Sequence, residues 1–269
     1  MNIKKINVVE IVLISLLLVF FIGSITKTDK KEEPVEKIPV SSKIDIDLNK
    51  IESISGKYSY DDEKYSSMFG IDISEFNGEI DWAKVKQDNV EFVFIRIGRR
   101  GATSGLLYDD ETFEINYHGA RENGIKIGVY FFSQAFDQKE AIEEAKWVIN
   151  KLSDKQIELP IVLDCEEVVL EDETPRIDSL DAKQHTDNAL AFLKEIEANG
   201  YQAMLYTYPY WANYYYEMDR FSDYSIWLAY YDDNPDVDYS FAMWQYSNTG
   251  TINGIKGDVD MNIMFIPKD

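Results

Sequence analysis

Asp164 and Glu166 stand two residues apart in the run PIVLDCE (160–166), behind four apolar residues. On an extended strand such a pair shares one face, with Cys165 turned to the other. Carboxyls set among apolar residues cost free energy unless they are paired or used. Two more acids occupy similar settings, Asp72 in MFGIDIS (68–74) and Asp260 in VDMNIMF (259–265). Two carboxyls about 6 Å apart at an effective dielectric of about 20 repel by about 2.8 kcal/mol, or about two pKa units. That repulsion keeps one of them protonated near neutral pH, and glycosidic-bond cleavage requires a protonated acid beside an ionised one. The same oxygens suit magnesium or calcium, and a single acid could instead pair with Arg96 or a lysine. Aromatic residues bear on this choice, because sugar faces stack on rings. Tyr130, Tyr206, Trp227, Tyr230, Trp244 and Tyr246 all lie at or near the ends of apolar runs. Singly each could fill a barrel; as a set beside the acids they favour carbohydrate.

Eight short apolar runs must position these groups. They are MFGIDIS (68–74), FVFIRIG (92–98), IKIGVYFF (125–132), PIVLDCE (160–166), QAMLYT (202–207), YSIWLAYY (224–231), FAMWQYS (241–247) and VDMNIMF (259–265). Each has strand length, and most are rich in β-branched or aromatic residues. Helix-like stretches near 82–87, 111–123, 138–152, 181–199 and 210–218 separate the first six. Gly124 and Gly200 follow two of them, where helices commonly stop. Five βα units followed by three strands predict an α/β fold, a modified TIM-like (β/α)5(β)3 barrel, with a doubly wound open sheet as the competitor. In such barrels the reactive groups sit at the C-terminal ends of strands. Asp72, Ser74, Arg96, Asp164, Glu166, Tyr230, Gln245 and Tyr246 all fit that placement. Asp258 and Asp260 do not, since they open their run, which points to a misjudged strand limit or to a loop entering the site.

The rest of the chain bounds the chemistry. With 27 Lys+Arg against 49 Asp+Glu, a net charge of −22 and a pI near 4.4, the chain lacks the basic face that nucleic acid requires. Two histidines and one cysteine supply too few ligands for a zinc or His-rich site, and no disulfide framework. Neither metal nor cofactor is expected. His118 and His185 fall in helical stretches and read as structural or surface residues, and Cys165 as core packing. Residues 1–25 read as an N-terminal membrane anchor or signal segment, because the run Ile6 to Ile25 is long enough to span a bilayer and lacks an Ala-x-Ala cleavage signal. Residues 26–66 read as a charged linker, semi-extended and ending in a small edge hairpin, and 67–269 as the barrel.

The barrel region resembles the glycoside hydrolase family 25 lysozymes (N-acetylmuramidases of the Chalaropsis type). GIDISEFNGEIDWAKVK is similar to that family's opening D-x-S and I-D-W-x-x-V-K, FVFIRIG to its second strand, GVYFF to its third and PIVLDCE to its D-x-E strand. LYTYPYW, IWLAYY, WQYS and VDMN complete an ordered series over about 69–265. The resemblance implies hydrolysis of the β-1,4 bond between N-acetylmuramic acid and N-acetylglucosamine in peptidoglycan. It implies Glu166 as the general acid, Asp164 as support for the substrate's acetamido group, and Asp72 and Asp260 in the remaining acidic positions. Arg96, Tyr130, Tyr206, Trp227, Tyr230, Gln245 and Tyr246 are the expected substrate-binding residues. Phe131 departs from the family's G-x-Y-H-F, which implies a lost polar contact in a subsite. The expected partners are peptidoglycan glycan strands and, through the anchor, a membrane, with a monomeric catalytic domain outside it. A non-catalytic wall-binding module and a chitinase-like glycosidase are the alternatives, and a metal-dependent hydrolase is a more distant one.

Overall fold

The computed structural model describes residues 35–268. The apolar run 6–25 and the charged stretch 26–34 lie outside the described residues. Among the described residues, no helix is long and apolar enough to cross a membrane.

Eight strands close into a barrel in the order β3 (Tyr65–Ile73), β11 (Val259–Pro267), β10 (Met243–Gly250), β9 (Ser225–Ala229), β8 (Ala203–Thr207), β7 (Ile161–Asp164), β6 (Lys126–Phe132) and β4 (Phe92–Arg100), with β3 pairing β4. A short strand β5 (Leu107–Asp109) extends β4 at one end. Helices α1 (Trp82–Gln87), α2 (Phe113–Glu122), α3 (Gln138–Lys151), α4 (Ala182–Ala198) and α5 (Pro209–Tyr215) follow the first five barrel strands, and none follows the last three. Asp81, Asp137 and Asp181 each cap a helix by accepting a backbone N–H, which satisfies donors left over at the helix start. Gly124 and Gly200, at φ of 65° and 81°, end α2 and α4 in the left-handed conformation expected of them.

The last strand departs from the expected parallel arrangement. β11 runs antiparallel to both of its neighbours. Only residues 251–258 join it to β10, and a connection that short makes a hairpin, because a parallel crossover needs a dozen or more residues. Reversal carries the beginning of β11 to the end of the barrel where the parallel strands finish, and Asp260 lies directly opposite Asp72. The position of Asp260 at the start of its run is thereby explained without a misjudged limit or an invading loop.

The barrel interior is aromatic beneath that end. The Trp227 ring meets Phe94 at 5.1 Å, Tyr206 at 5.1 Å and Tyr130 at 6.2 Å between centroids. Gly128 makes room for this layer, since a Cβ there would lie 2.3 Å from the Phe94 ring.

From Val35 onward, the segment read as a linker belongs to the same compact unit as the barrel. It follows the ends where the parallel strands begin. Ile38 N–H donates to Glu158 O and Gln202 Nε2 to Ile38 O, just ahead of β7 and β8. Ser225 Oγ donates to Val40 O at β9, and Ile44 N–H donates to Ser240 Oγ just ahead of β10. Tyr60 then packs edge-on to Phe265 of β11 at 5.7 Å. A hairpin of β1 (Glu52–Ile54) and β2 (Lys57–Ser59) stacks Tyr58 on Tyr246 at 4.1 Å. Charge dominated the reading of this stretch, but Ile44 and Tyr60 are buried and cover strands that have no helix of their own. Replacing Tyr60 by Ala should therefore cost about 3 kcal/mol of unfolding free energy in urea titration, as for other buried aromatics. A shift within about 0.5 kcal/mol, typical of an exposed tether, would contradict this packing.

Candidate active site

Asp72 and Asp164, from the ends of β3 and β7, are buried, whereas Asp260 and Glu166 are half-buried above them. The four form two hydrogen-bonded carboxyl pairs, Asp72 with Asp260 and Asp164 with Glu166. Two carboxyls can bond in this way only by holding a proton between them. Burial raises all four above the ordinary carboxylate range, and Asp260 reaches about 6. The Asp260 charge lifts Asp72 further, as the Glu166 charge lifts Asp164. Each pair therefore titrates as a unit.

A rigid polar chain fixes the first pair. Asp72 Oδ2 accepts from Gln245 Nε2 at 2.8 Å and from Asn262 Nδ2 at 2.8 Å. Gln245 Oε1 in turn accepts from the Tyr231 hydroxyl at 2.8 Å, and Asn262 Oδ1 from Trp227 Nε1 at 2.9 Å. The indole that floors the site thus also sets the amide orientation of Asn262. Asp164 differs, because its Oδ1 is buried without a partner among the described residues.

Of the expected substrate-binding residues, Tyr130, Tyr206, Trp227 and Gln245 surround the acids. The hydroxyl pKa values of Tyr130 and Tyr206 are raised by burial and then by the neighbouring carboxylates. Arg96 is also close, but its Nε donates to Asp110 at 2.9 Å and its second terminal nitrogen to Glu75 at 2.7 Å. The exposed Phe76 ring lies 5.0 Å from its guanidinium carbon. No described ion pair joins Arg96 to Asp164, whose carboxyl feels the Arg96 charge only as a lesser effect against burial and Glu166.

One aromatic residue lies elsewhere. Tyr246 packs under Tyr58 of the N-terminal hairpin, on the face of β10 opposite Gln245. Tyr230 engages its neighbours through its main chain, donating to Gln245 O and accepting from Trp244 Nε1. The next residue, Tyr231, reaches the acids, and burial and then the Asp260 charge raise its hydroxyl pKa well above the ordinary value. Phe131 contacts Trp147 of α3 and Phe192 of α4, so its place is the helical layer and not a subsite. Asn262 escaped attention although it shares the face of Asp260 in V-D-M-N; the two-residue alternation was the signal.

His118 is exposed on α2. His185 packs against Trp211 and Tyr215, with desolvation lowering its pKa to about 4. Cys165 is buried and unpaired. Among the described residues no group of His, Cys, Asp and Glu is arranged to hold a metal ion.

Asp260 has a consequence for stability. An unfolded aspartate ionises near 3.8, whereas the folded group keeps its proton to about 6. Its favourable contribution is complete below about pH 4 and is lost as the pH rises through 6. Replacing Asp260 by Asn removes the titration and leaves a donor for Asp72. After allowance for partial exposure, the gain at pH 7 should be about 1–2 kcal/mol, or about 2–6 °C in Tm. Calorimetry at pH 4 should show a much smaller difference, and an equal difference at both pH values would contradict the pairing.

Residues 71–255 match the family described as glycosyl hydrolases family 25. The autolytic lysozyme of Clostridium acetobutylicum is 32% identical over 198 residues, covering 72% of this chain and 55% of that protein. Lysozyme M1 of Streptomyces globisporus is 29% identical over 213 residues, covering 73% and 67% respectively. The modular autolysin LytC of Streptococcus pneumoniae, solved with a synthetic peptidoglycan ligand, superposes with a TM-score of 0.66 at 24% identity, covering 79% of this chain and 51% of that one. A family 25 glycosyl hydrolase from Bacillus anthracis gives a TM-score of 0.62 at 21% identity, covering 79% and 94%. This chain therefore spans about half the length of the clostridial and pneumococcal proteins. The ordered motifs, the closed barrel and the extent of the match agree: the chain belongs to glycosyl hydrolase family 25.

Proposed function

We propose that this protein hydrolyses peptidoglycan at the β-1,4 bond between N-acetylmuramic acid and N-acetylglucosamine. The observation that carries the reading is the pairing of four carboxyls, each held above its ordinary pKa, over an aromatic floor. Glu166 is the half-buried member of its pair, and burial raises its pKa by disfavouring its charge, against the hydrogen bond from Asp164 that lowers it. It protonates the leaving oxygen as the glycosidic C–O bond breaks. The acetamido oxygen of the muramic residue attacks the anomeric carbon from the other face, and water then opens that intermediate. The unpartnered Oδ1 of Asp164 is an acceptor for the acetamido N–H, so the two carboxyls of D-x-E divide the work between leaving group and nucleophile. Asp72 and Asp260, sharing one proton, together keep a single negative charge beside the cationic transition state. Half-buried Tyr130 and exposed Tyr231 present their rings to the sugar, over the buried Tyr206 and Trp227. The autolysins and lysozymes among the relatives support a bacterial cell wall as the substrate and a site of action outside the cytoplasm. The apolar run 6–25 supports a membrane tether at the N-terminus.

Replacing Glu166 by Gln preserves shape and removes the proton. Turnover on purified cell walls, read as released reducing ends, should fall about 10²–10⁴-fold with Tm retained. Activity close to that of the unaltered enzyme would remove Glu166 from this role. Release of reducing ends from chitin oligomers but not from walls would favour the chitinase-like alternative.

A further inference from the structure

β7 ends at Asp164, so Glu166 lies beyond the last residue held by the sheet ladder. Beyond the ladder the neighbouring chain takes over. Ser133 N–H, one residue past β6, donates to Asp164 O at 2.7 Å. Gln134 Nε2 donates to Glu166 O at 3.0 Å, and the Gln134 side chain is fully buried. The side-chain amide thus supplies the next rung after the backbone has parted. Its own Oε1 is buried without a partner among the described residues, so the amide is anchored there through Glu166 O alone.

The grip is itself anchored. Glu144 of α3 accepts from Ser133 Oγ at 2.6 Å, and its carboxylate also takes the Gln134 backbone N–H. The same carboxylate is fully buried and binds Arg100 Nε of β4 at 2.7 Å. Asn188 Nδ2 of α4 donates to Ala135 O at 2.9 Å. Residues 133–135 are therefore tied to two helices and two strands, whereas the segment they hold, 165–175, is free of regular structure.

We propose that Gln134 is a positioning residue that sets where the Glu166 carboxyl stands relative to the leaving oxygen. The proposal rests on Glu166 acting as the general acid. A displacement of about 1 Å at a proton donor costs up to about 10²-fold in rate without weakening substrate binding. Gln134 touches no reacting atom, so its effect is confined to the step that needs the proton.

Leaving-group chemistry separates positioning from general damage. An aryl glycoside of N-acetylglucosaminyl-N-acetylmuramic acid expels a phenolate, which departs without protonation, whereas the glycan leaving group needs the acid. In Gln134→Met, similar in length but without a donor, kcat on cell-wall glycan should fall about 10–100-fold with KM unchanged. On the aryl glycoside it should change less than about threefold. Gln134→Asn, whose amide is one methylene short, should behave in the same way. Tm should stay close to that of the unaltered enzyme, because Met also removes the unpartnered Oε1. Equal losses on both substrates, an unchanged kcat on glycan, or loss of the fold in both variants would overturn the proposal. Glu166→Gln, measured in parallel, tests the underlying reading. If it shows the leaving-group split and the Gln134 variants do not, positioning alone fails. If it keeps activity on both substrates, the assignment of the acid fails.

Discussion

Four carboxyls gathered at one end of an apolar barrel repel one another, and most of the surrounding structure is arranged around that repulsion. A charge is expensive to bury, so a buried acid must find a counter-ion, neutralise itself or share a proton. Arg96 is a cation whose charge reaches Asp164, but Asp110 and Glu75 hold it. The acids instead pair with each other, the deeper Asp72 and Asp164 each beside a more accessible partner. Proton sharing lowers the cost of burial and leaves a proton available near neutral pH, where an isolated carboxyl would have lost it. Trp227 contributes to both effects, since its ring displaces water from beneath the acids and its Nε1 fixes Asn262 against Asp72.

The barrel must bring these pairs together from strands distant in the chain. Parallel strands deliver Asp72 and Asp164 at their finishing ends, with Glu166 two residues beyond β7. Reversal of β11 allows the final strand to deliver Asp260 from its beginning. The last three strands lack covering helices, and the segment that precedes the barrel substitutes for them. The same chain thus closes the barrel at the end opposite the chemistry.

Much of this architecture was legible in periodicity. The eight apolar runs, the helix stops at Gly124 and Gly200 and the shared face of Asp164 and Glu166 all follow from spacing within a few residues. What escaped depends on contacts distant in sequence. The alternation of Ile44, Ile46 and Leu48 was visible, but nothing local shows that Ile44 meets Ser240 or that Tyr60 meets Phe265. Tyr230 and Tyr231 are adjacent, and only the way the strand ends decides which ring enters the site. Tyr246 occupies the right strand end but the wrong face, in a two-residue period whose phase Gln245 already fixes. Gln134 carried no motif, because its significance lies in where β7 stops.

The most direct measurement is the identity of the sugar at the newly formed reducing ends. Purified peptidoglycan would be digested, reduced with borohydride, hydrolysed and analysed by mass spectrometry. Cleavage of the proposed bond leaves N-acetylmuramic acid at the reducing end, so reduced muramic acid should accumulate in step with wall solubilisation. Reduced glucosamine in its place, or no new reducing ends at all, would contradict the account.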